Sequence, residues 1–528
     1  MDMVALIAIA GLGLFTSFVA ALEHARKERV RAAYDFNPQR TQAAGGFATA
    51  DDLKRGGLLR RRGIRIGFSA EGRILRYGGA GHLLLVAAAR TGKALTVLVT
   101  AILSLDDGGF FQRLGNRRKS SLIVVDPKAE LAAITGHFRR RFGEVYVLNP
   151  FGILRGSLAG LKQGHYNPMT ILDPLSRAFH ATCDKLAEAI CPDEAGGMDR
   201  HWIMSARLLI SGVIAALAKF GAEADRNLAA VRNVVTGANG HSVFEFAREC
   251  MNLPDPFVRQ KLARFAARDA EESRELNGVI STADTQLGFI GNEAIAESLK
   301  GSDFDFHDLK RKPGTTVFVC LPLNKLDVCS AYFRLIMAAA LSDLLEEGLR
   351  GTGAPVLAII DETAQIGALR SLIDAWGMAA GAAGVQLFAV YQDVSQIINQ
   401  FGKSWQTIVQ NSGATLWFAA RDQATRETVS KLAGVTEVLT RSRSVSIDHR
   451  TGEPHVSDTA ASVVRPVIHP HEVGALKDEE MLVFCERVPG VIKAKREPYL
   501  KEFKGKYRDN PYFKEAGIGR WLRRTLFD

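Results

Sequence analysis

Short apolar runs separated by helical stretches set the rhythm of this chain. His82–Ala88, Leu122–Asp126, Val145–Leu148, Thr315–Leu321, Val356–Asp361, Val385–Val390, Ala414–Ala419 and Met481–Cys485 read as strands, several of them apolar throughout. Strands covered on both faces have this composition, and strand–helix alternation predicts an α/β protein on a parallel sheet. From about 175 to 305 no strand-like run occurs. The stretch is dense in Ala, Leu, Arg and Glu, and Ile203, Ala206, Ile210, Val213 and Leu217 recur at helical spacing. We read 176–305 as an all-α domain inserted into a nucleotide-binding domain made of 63–175 and 306–486. Residues 437–465 are polar and turn-rich, with Arg450-Thr451-Gly452 at an expected hairpin tip.

The chain opens differently. Val4 to Leu22 is nineteen residues without a charge, which spans roughly 28 Å as a helix, close to a bilayer core. Gly11, Gly13 and Ser17 leave small faces for another helix. Arg26, Lys27, Arg29 and Arg31 follow the run, and only Asp2 precedes it. The positive-inside rule then places the N-terminus outside and the bulk in the cytoplasm. A cleavable signal peptide needs a basic start, and this start is acidic. Residues 1–31 are therefore expected to be a single-pass anchor with a basic flank, and the Gly/Arg-rich 32–62 a linker.

Charge adds one point. The net charge of +10 over 528 residues is concentrated at two ends: 23–76 holds 13 Lys/Arg against 6 Asp/Glu, and 487–528 holds 12 against 5. Such ends suit phospholipid head groups or nucleic acid. In the basic tail, 487–528, Lys493, Lys495, Arg496, Lys501, Lys504, Lys506 and Arg508 are interleaved with Tyr499, Phe503 and Tyr507. That mixture suits single-stranded DNA, unless the aromatics pack onto the sheet domain. The hairpin around Arg441, Arg443 and Arg450 is the other candidate DNA contact. Six cysteines without a CxxC pair and twelve histidines without an HExxH spacing point to reduced thiols and no structural metal.

Three strand ends carry candidate chemistry. AAARTGKA, Ala87–Ala94, lies between a strand and an apolar helix, as a phosphate-binding loop does. It departs from GxxxxGK[ST]: Ala87 replaces the first Gly and Ala94 the Mg²⁺-binding hydroxyl. VLAIIDE, Val356–Glu362, is an apolar strand ending in two carboxylates, able to hold Mg²⁺ (Asp361) and orient water (Glu362). A strand-end pair that caps the next helix would look the same. FAVYQD ends in Gln392, which can sense a γ-phosphate or satisfy backbone groups. A rival carboxylate, Asp126 in SSLIVVDPK, is followed by Lys128, which could neutralise it; we prefer Asp361 and Glu362. No GxSxG or GxGxxG occurs.

The ordered set GHLLLVAAARTGKA, VVDPKAEL, VLNPFG, YNPM, DRHWIMSARLL, DETAQIGAL, VYQDVSQI, QNSGATLWF and RPVIHPHEV resembles the type IV secretion coupling proteins of the TraG/TraD type over roughly 66–500. The resemblance implies a RecA-like P-loop NTPase domain in a homo-hexamer at the bacterial inner membrane, with ATP and Mg²⁺ between neighbouring subunits. It implies that Arg90, Thr91, Gly92, Lys93 and Ala94 hold the phosphates, with Lys93 on the β/γ-phosphates. Asp361 would hold Mg²⁺, Glu362 the water and Gln392 the γ-phosphate. The helical domain would receive relaxase-bound DNA or a secreted protein for the secretion channel. Three departures stand out: Ala88-Ala89 where the family usually has Pro-Thr, Ala129 where its DPKGEL has Gly, and one membrane span where two are usual. Arg370 and Arg421 are the candidates for a trans-acting finger. The alternative is a receptor that binds nucleotide without turnover.

Overall fold

The structure, a computed structural model, describes residues 46–105, 119–193, 199–350, 355–367, 370–377, 384–447 and 454–512, together with Ala21. The rest of the apolar run Val4–Leu22 and the hairpin tip Arg450–Gly452 lie outside the described residues. Two compact units divide the chain, one holding Gly434–Val467 and the other Phe47–Ala433 with the segment from Ile468 onward.

The larger unit is built on one sheet of twelve strands. In chain order these are β1 (Ile64–Phe68), β2 (Ile74–Tyr77), β3 (His82–Val86), β4 (Ser121–Val125), β5 (Val145–Leu148), β6 (Lys162–Gln163), β7 (Thr316–Val319), β8 (Val356–Ile360), β9 (Val385–Tyr391), β10 (Ser412–Trp417), β13 (Glu480–Cys485) and β14 (Val488–Lys495). The spatial order is β2-β1-β14-β13-β10-β3-β9-β8-β4-β7-β5-β6. From β10 to β6 every neighbouring pair is parallel. From β10 outward through β13, β14, β1 and β2 every pair is antiparallel. The central strands β3, β4 and β8 are buried at every position, which is why their sequences are apolar without alternation.

All eight apolar runs are strands, with ends shifted by up to two residues. The sheet also extends past the boundary drawn at 486. The segment read as a basic tail begins with β14, paired with both β13 and β1. The stretch read as linker contains a helix, Ala50–Arg55, closed by a Thr49–Asp52 capping box.

Between Gln163 and Thr316 the described residues form helices and turns only. Their starts are written locally: Asn227, Ser242, Asp255, Ser273 and Asn292 each cap a helix with a side-chain oxygen, satisfying amides that the helix itself cannot. The long helix Asp199–Phe220 packs against Phe179–Ile190, Pro256–Ala266 and Arg274–Leu287. Ala206, Ile210 and Val213 on it are fully buried. Its stretch Arg200–Phe220 is long and apolar enough to cross a membrane, yet most of it is buried within the protein. Contacts place this helical region in the same compact unit as the sheet.

The smaller unit contains an antiparallel ribbon. β11 (Val435–Ile447) and β12 (Pro454–Pro466) pair without a break from Val435↔Pro466 to Ile447↔Pro454. The sequence pattern, read as polar and turn-rich over 437–465, does not give the length of these paired arms.

Candidate nucleotide-binding site

Because β10, β3, β9, β8 and β4 are adjacent and parallel, their carboxyl ends open on one edge of the sheet, where α/β proteins place their ligands. The loops there are Ala87–Lys93 after β3, Asp361–Gly367 after β8, Gln392–Asp393 after β9 and Asp126–Ala129 after β4.

The loop after β3 turns through two left-handed residues, Arg90 (φ 62°) and Gly92 (φ 81°). Thr91 Oγ1 donates to Ala88 O at 2.6 Å. The helix that follows starts with a π-helical turn, Ala94–Leu98, and continues as Val99–Ser104. Such turns are rare and concentrate at functional sites. Ala94 brings no hydroxyl, and the nearby Thr96 hydroxyl is spent on Gly92 O at 2.9 Å.

Lys93 is 7% exposed, and its Nζ lies 2.5 Å from Glu362 Oε1 and 2.9 Å from Asp361 Oδ1. Gln392 Nε2 donates to the other oxygen of Glu362 at 2.8 Å. The four residues singled out at three strand ends therefore meet in one cluster. Burial alone would lower the Lys93 pKa, but the two carboxylates raise it above the ordinary value. Burial would raise Glu362, but Lys93 and the Gln392 amide pull it below the ordinary value. Thr363, which sequence reasoning passed over, stitches the strand ends together: its hydroxyl donates to Ile360 O and accepts from Val390 N–H, both at 2.9 Å.

Asp126 is placed differently. It is fully buried and accepts from Glu130 N–H at 3.1 Å and Ala132 N–H at 2.8 Å, so it caps the helix Glu130–Arg139. Burial, opposed by these amides and reinforced by Asp361, pushes its pKa to about 8. Among the described residues no ion pair joins Lys128, which could have neutralised Asp126, to that carboxyl; Lys128 instead helps lower the pKa of Glu130 and Glu362.

One ammonium facing two buried carboxylates leaves an excess of negative charge. Asp361 Oδ1 is buried with Lys93 Nζ at 2.9 Å as its ion-pair partner and no further hydrogen-bond partner. A buried oxygen of that kind suits a hard cation brought in with phosphates. Among the described residues no group of three or more His, Cys, Asp or Glu could bind a metal on its own, so Mg²⁺ would rely on nucleotide and water for its other ligands.

Arg421 lines a cleft of ≈ 170 Å³ with Ala88, Gln392 and Phe418 of the same chain, beside its own loop. The side chain of Arg370 lies outside the described residues. In the tail, Tyr499 and Phe503 are 1% and 2% exposed and belong to the core around the sheet. Arg496 is 3% exposed and donates to Thr91 O at 2.5 Å. These three are thus withdrawn from the proposed DNA-stacking surface. The signal for Arg496 was an alternation that its basic neighbours masked: Ile492, Ala494 and Arg496 are buried, Lys493 and Lys495 exposed.

Left-handed residues other than glycine are uncommon, and three of the four among the described residues, Arg90, Ala129 and Glu362, sit in these loops. Ala129 (φ 55°, fully buried) occupies the position where the family reads Gly. Ala129→Gly relieves the left-handed cost but loses a buried methyl, so we expect urea-denaturation stability within about 1 kcal/mol of wild type. Ala129→Val adds β-branching in the same conformation and should cost more than about 2 kcal/mol. Equal effects of the two would contradict this account.

The parallel core, the turn after β3 and the acids after β8 define an α/β protein on a mixed sheet, with one candidate ligand edge at the carboxyl ends of its parallel strands. A family model for type IV secretory system conjugative DNA transfer matches residues 46–519. The chain belongs to that family. It is 25% identical over 446 residues to protein VirD4 of Rhizobium radiobacter, covering 82% of this chain and 59% of that one. It is 24% identical over 460 residues to the conjugal transfer protein TraG of Escherichia coli, covering 79% and 63%. The chain thus spans about three-fifths of the length of these relatives. In structure it is similar to the bacterial conjugative coupling protein TrwBdeltaN70 in complex with sulphate (TM-score 0.63, 18% identity, 88% of this chain and 96% of that one). It is also similar to the plasmid coupling protein TrwB with ADP and Mg²⁺ (TM-score 0.58, 18% identity, 88% and 97%).

Proposed function

We propose that this chain is the ATP-hydrolysing coupling protein of a conjugation or type IV secretion system. The observation that carries the reading is the Lys93–Asp361–Glu362–Gln392 cluster at the ends of three neighbouring parallel strands. In this reading Arg90 to Ala94 surround the phosphates and Lys93 leaves its carboxylates for the β/γ-phosphates. Asp361 would hold Mg²⁺, which would supply charge stabilisation to the phosphates; Glu362 would take up the water proton, and Gln392 would keep Glu362 aimed and meet the γ-phosphate. The family model for conjugative DNA transfer, the conjugal transfer relative TraG and the basic ends support DNA as cargo; secreted proteins are the further cargo we propose. We further propose a homo-hexamer anchored in the inner membrane by residues 1–31, with 176–305 as the substrate-receiving helical domain of each subunit.

The test is phosphate release by the full chain in detergent or nanodiscs. We expect Mg²⁺-dependent ATP hydrolysis that single-stranded DNA stimulates, and retention of the protein in washed membranes. Nucleotide binding with no release under any DNA condition would favour the second reading, a receptor without turnover. Ala94, which cannot contribute a hydroxyl to Mg²⁺, is the observation behind that alternative.

A further inference from the structure

We propose that Arg496, contributed by the segment after β14, is a positioning residue of the nucleotide loop and supplies its second buried positive charge. The inference rests on the nucleotide reading above. Arg496 lies far from the loop in sequence, yet Nη1 donates to Thr91 O at 2.5 Å. The same nitrogen comes within 3.6 Å of where a side chain on Gly92 would begin. The guanidinium stacks on Phe418, 3.8 Å from the ring centroid, and Nε reaches Glu480 O at 3.4 Å. Thr91 and Gly92 immediately precede Lys93, so the guanidinium fixes the turn that aims the lysine.

A purely structural role is a poor explanation for this residue type. Burying a guanidinium without a carboxylate partner is unfavourable, whereas an apolar chain would fill the space without that desolvation penalty. Among the described residues no carboxylate pairs with Arg496. Burial holds its pKa down to about 10, against a weaker opposite pull from Asp478 and Glu479. An uncompensated cation beside a phosphate loop gains its counter-charge when phosphate arrives. The chain beyond Arg496 continues the clasp onto the loop after β4 and the helix that follows it. Arg508 N–H donates to Ile134 O at 3.0 Å, Asn510 Nδ2 to Glu130 Oε1 at 2.5 Å and Tyr512 OH to Lys128 O at 2.7 Å. The C-terminal segment thus ties the loops after β3 and β4 together from outside the motifs that name the family.

The experiment measures binding of fluorescent Mg·ADP to the full chain, alongside melting without nucleotide. Arg496→Gln should weaken binding about tenfold or more, the size of a lost charge-assisted contact. Arg496→Lys keeps the charge but not the planar fork, so it should fall between wild type and Gln. A filler role predicts a lower melting temperature in both variants with unchanged affinity per folded molecule, and that result overturns the assignment. If Arg496→Gln does not fold, the lysine variant decides alone: wild-type affinity there overturns it. If wild type itself does not bind Mg·ADP, the nucleotide reading falls, and this inference with it.

Discussion

Lys93→Ala is expected to abolish nucleotide-driven phosphate release and to reverse how stability responds to pH. Lys93 is the cation that touches both Asp361 and Glu362. In wild type the folded pKa of Glu362 lies below its ordinary value and that of Lys93 above it. The Glu362 contribution is present above the unfolded carboxylate pKa, about 4.3, and is lost as pH falls through the folded value. The Lys93 contribution is present below about 10.4 and is lost as pH rises through the folded value. Between these limits the ion pairs stabilise the fold. Without the ammonium, burial raises the carboxylates instead, so a penalty grows as pH rises from about 4.3. The variant should lose about 3–5 kcal/mol at pH 8, the cost of breaking a buried pair, and less at pH 5. Urea midpoints at the two pH values test the stability half, and phosphate release tests the other. Wild-type turnover sinks the motor reading. A stability loss independent of pH sinks the ion-pair account but leaves the nucleotide reading standing.

The sequence made the cluster visible because each member ends an apolar strand. β3, β8 and β9 are buried on both faces, so a polar residue at the end of such a run marks the sheet edge without knowledge of the fold. What it could not show is who pairs with whom. Lys93 and Glu362 are 269 residues apart, and only the parallel order β3-β9-β8 brings them together. The antiparallel edge was the harder part. β2 and β14 are half-exposed and alternate, and in β14 that alternation is written partly in lysines, so composition read as a basic tail hid a strand. Arg496 follows from that miss: without β14 there is no reason to point it at the loop. In the sequence the nearby Lys128 ranks Asp126 behind Asp361 and Glu362, but the hydrogen-bond partners of Asp126 are the backbone amides of a helix start.

Glu362→Gln is expected to separate binding from turnover. The substitution keeps the shape and an oxygen for Gln392 Nε2, and it removes one of the two negative charges facing Lys93. Affinity for Mg·ATP should therefore stay near wild type or tighten, since Lys93 is freer to leave for phosphate. Phosphate release should fall about 100-fold or more, the usual contribution of a positioned general base. The backbone favours this carboxylate over its neighbour. Glu362 is left-handed at φ 60° and follows Asp361, whose N–H is fixed on Val125 O at 3.1 Å. Asp361 thus stays at the strand end, while Glu362 turns between Lys93 and Gln392. Asp361→Asn should behave in the opposite way, losing Mg²⁺-dependent binding first. Near-normal release by the Glu362→Gln variant would remove Glu362 from the chemistry. Glu130 would be the next acid to replace, because it feels both Lys93 and Asp361, whereas Asp126 is committed to its helix cap.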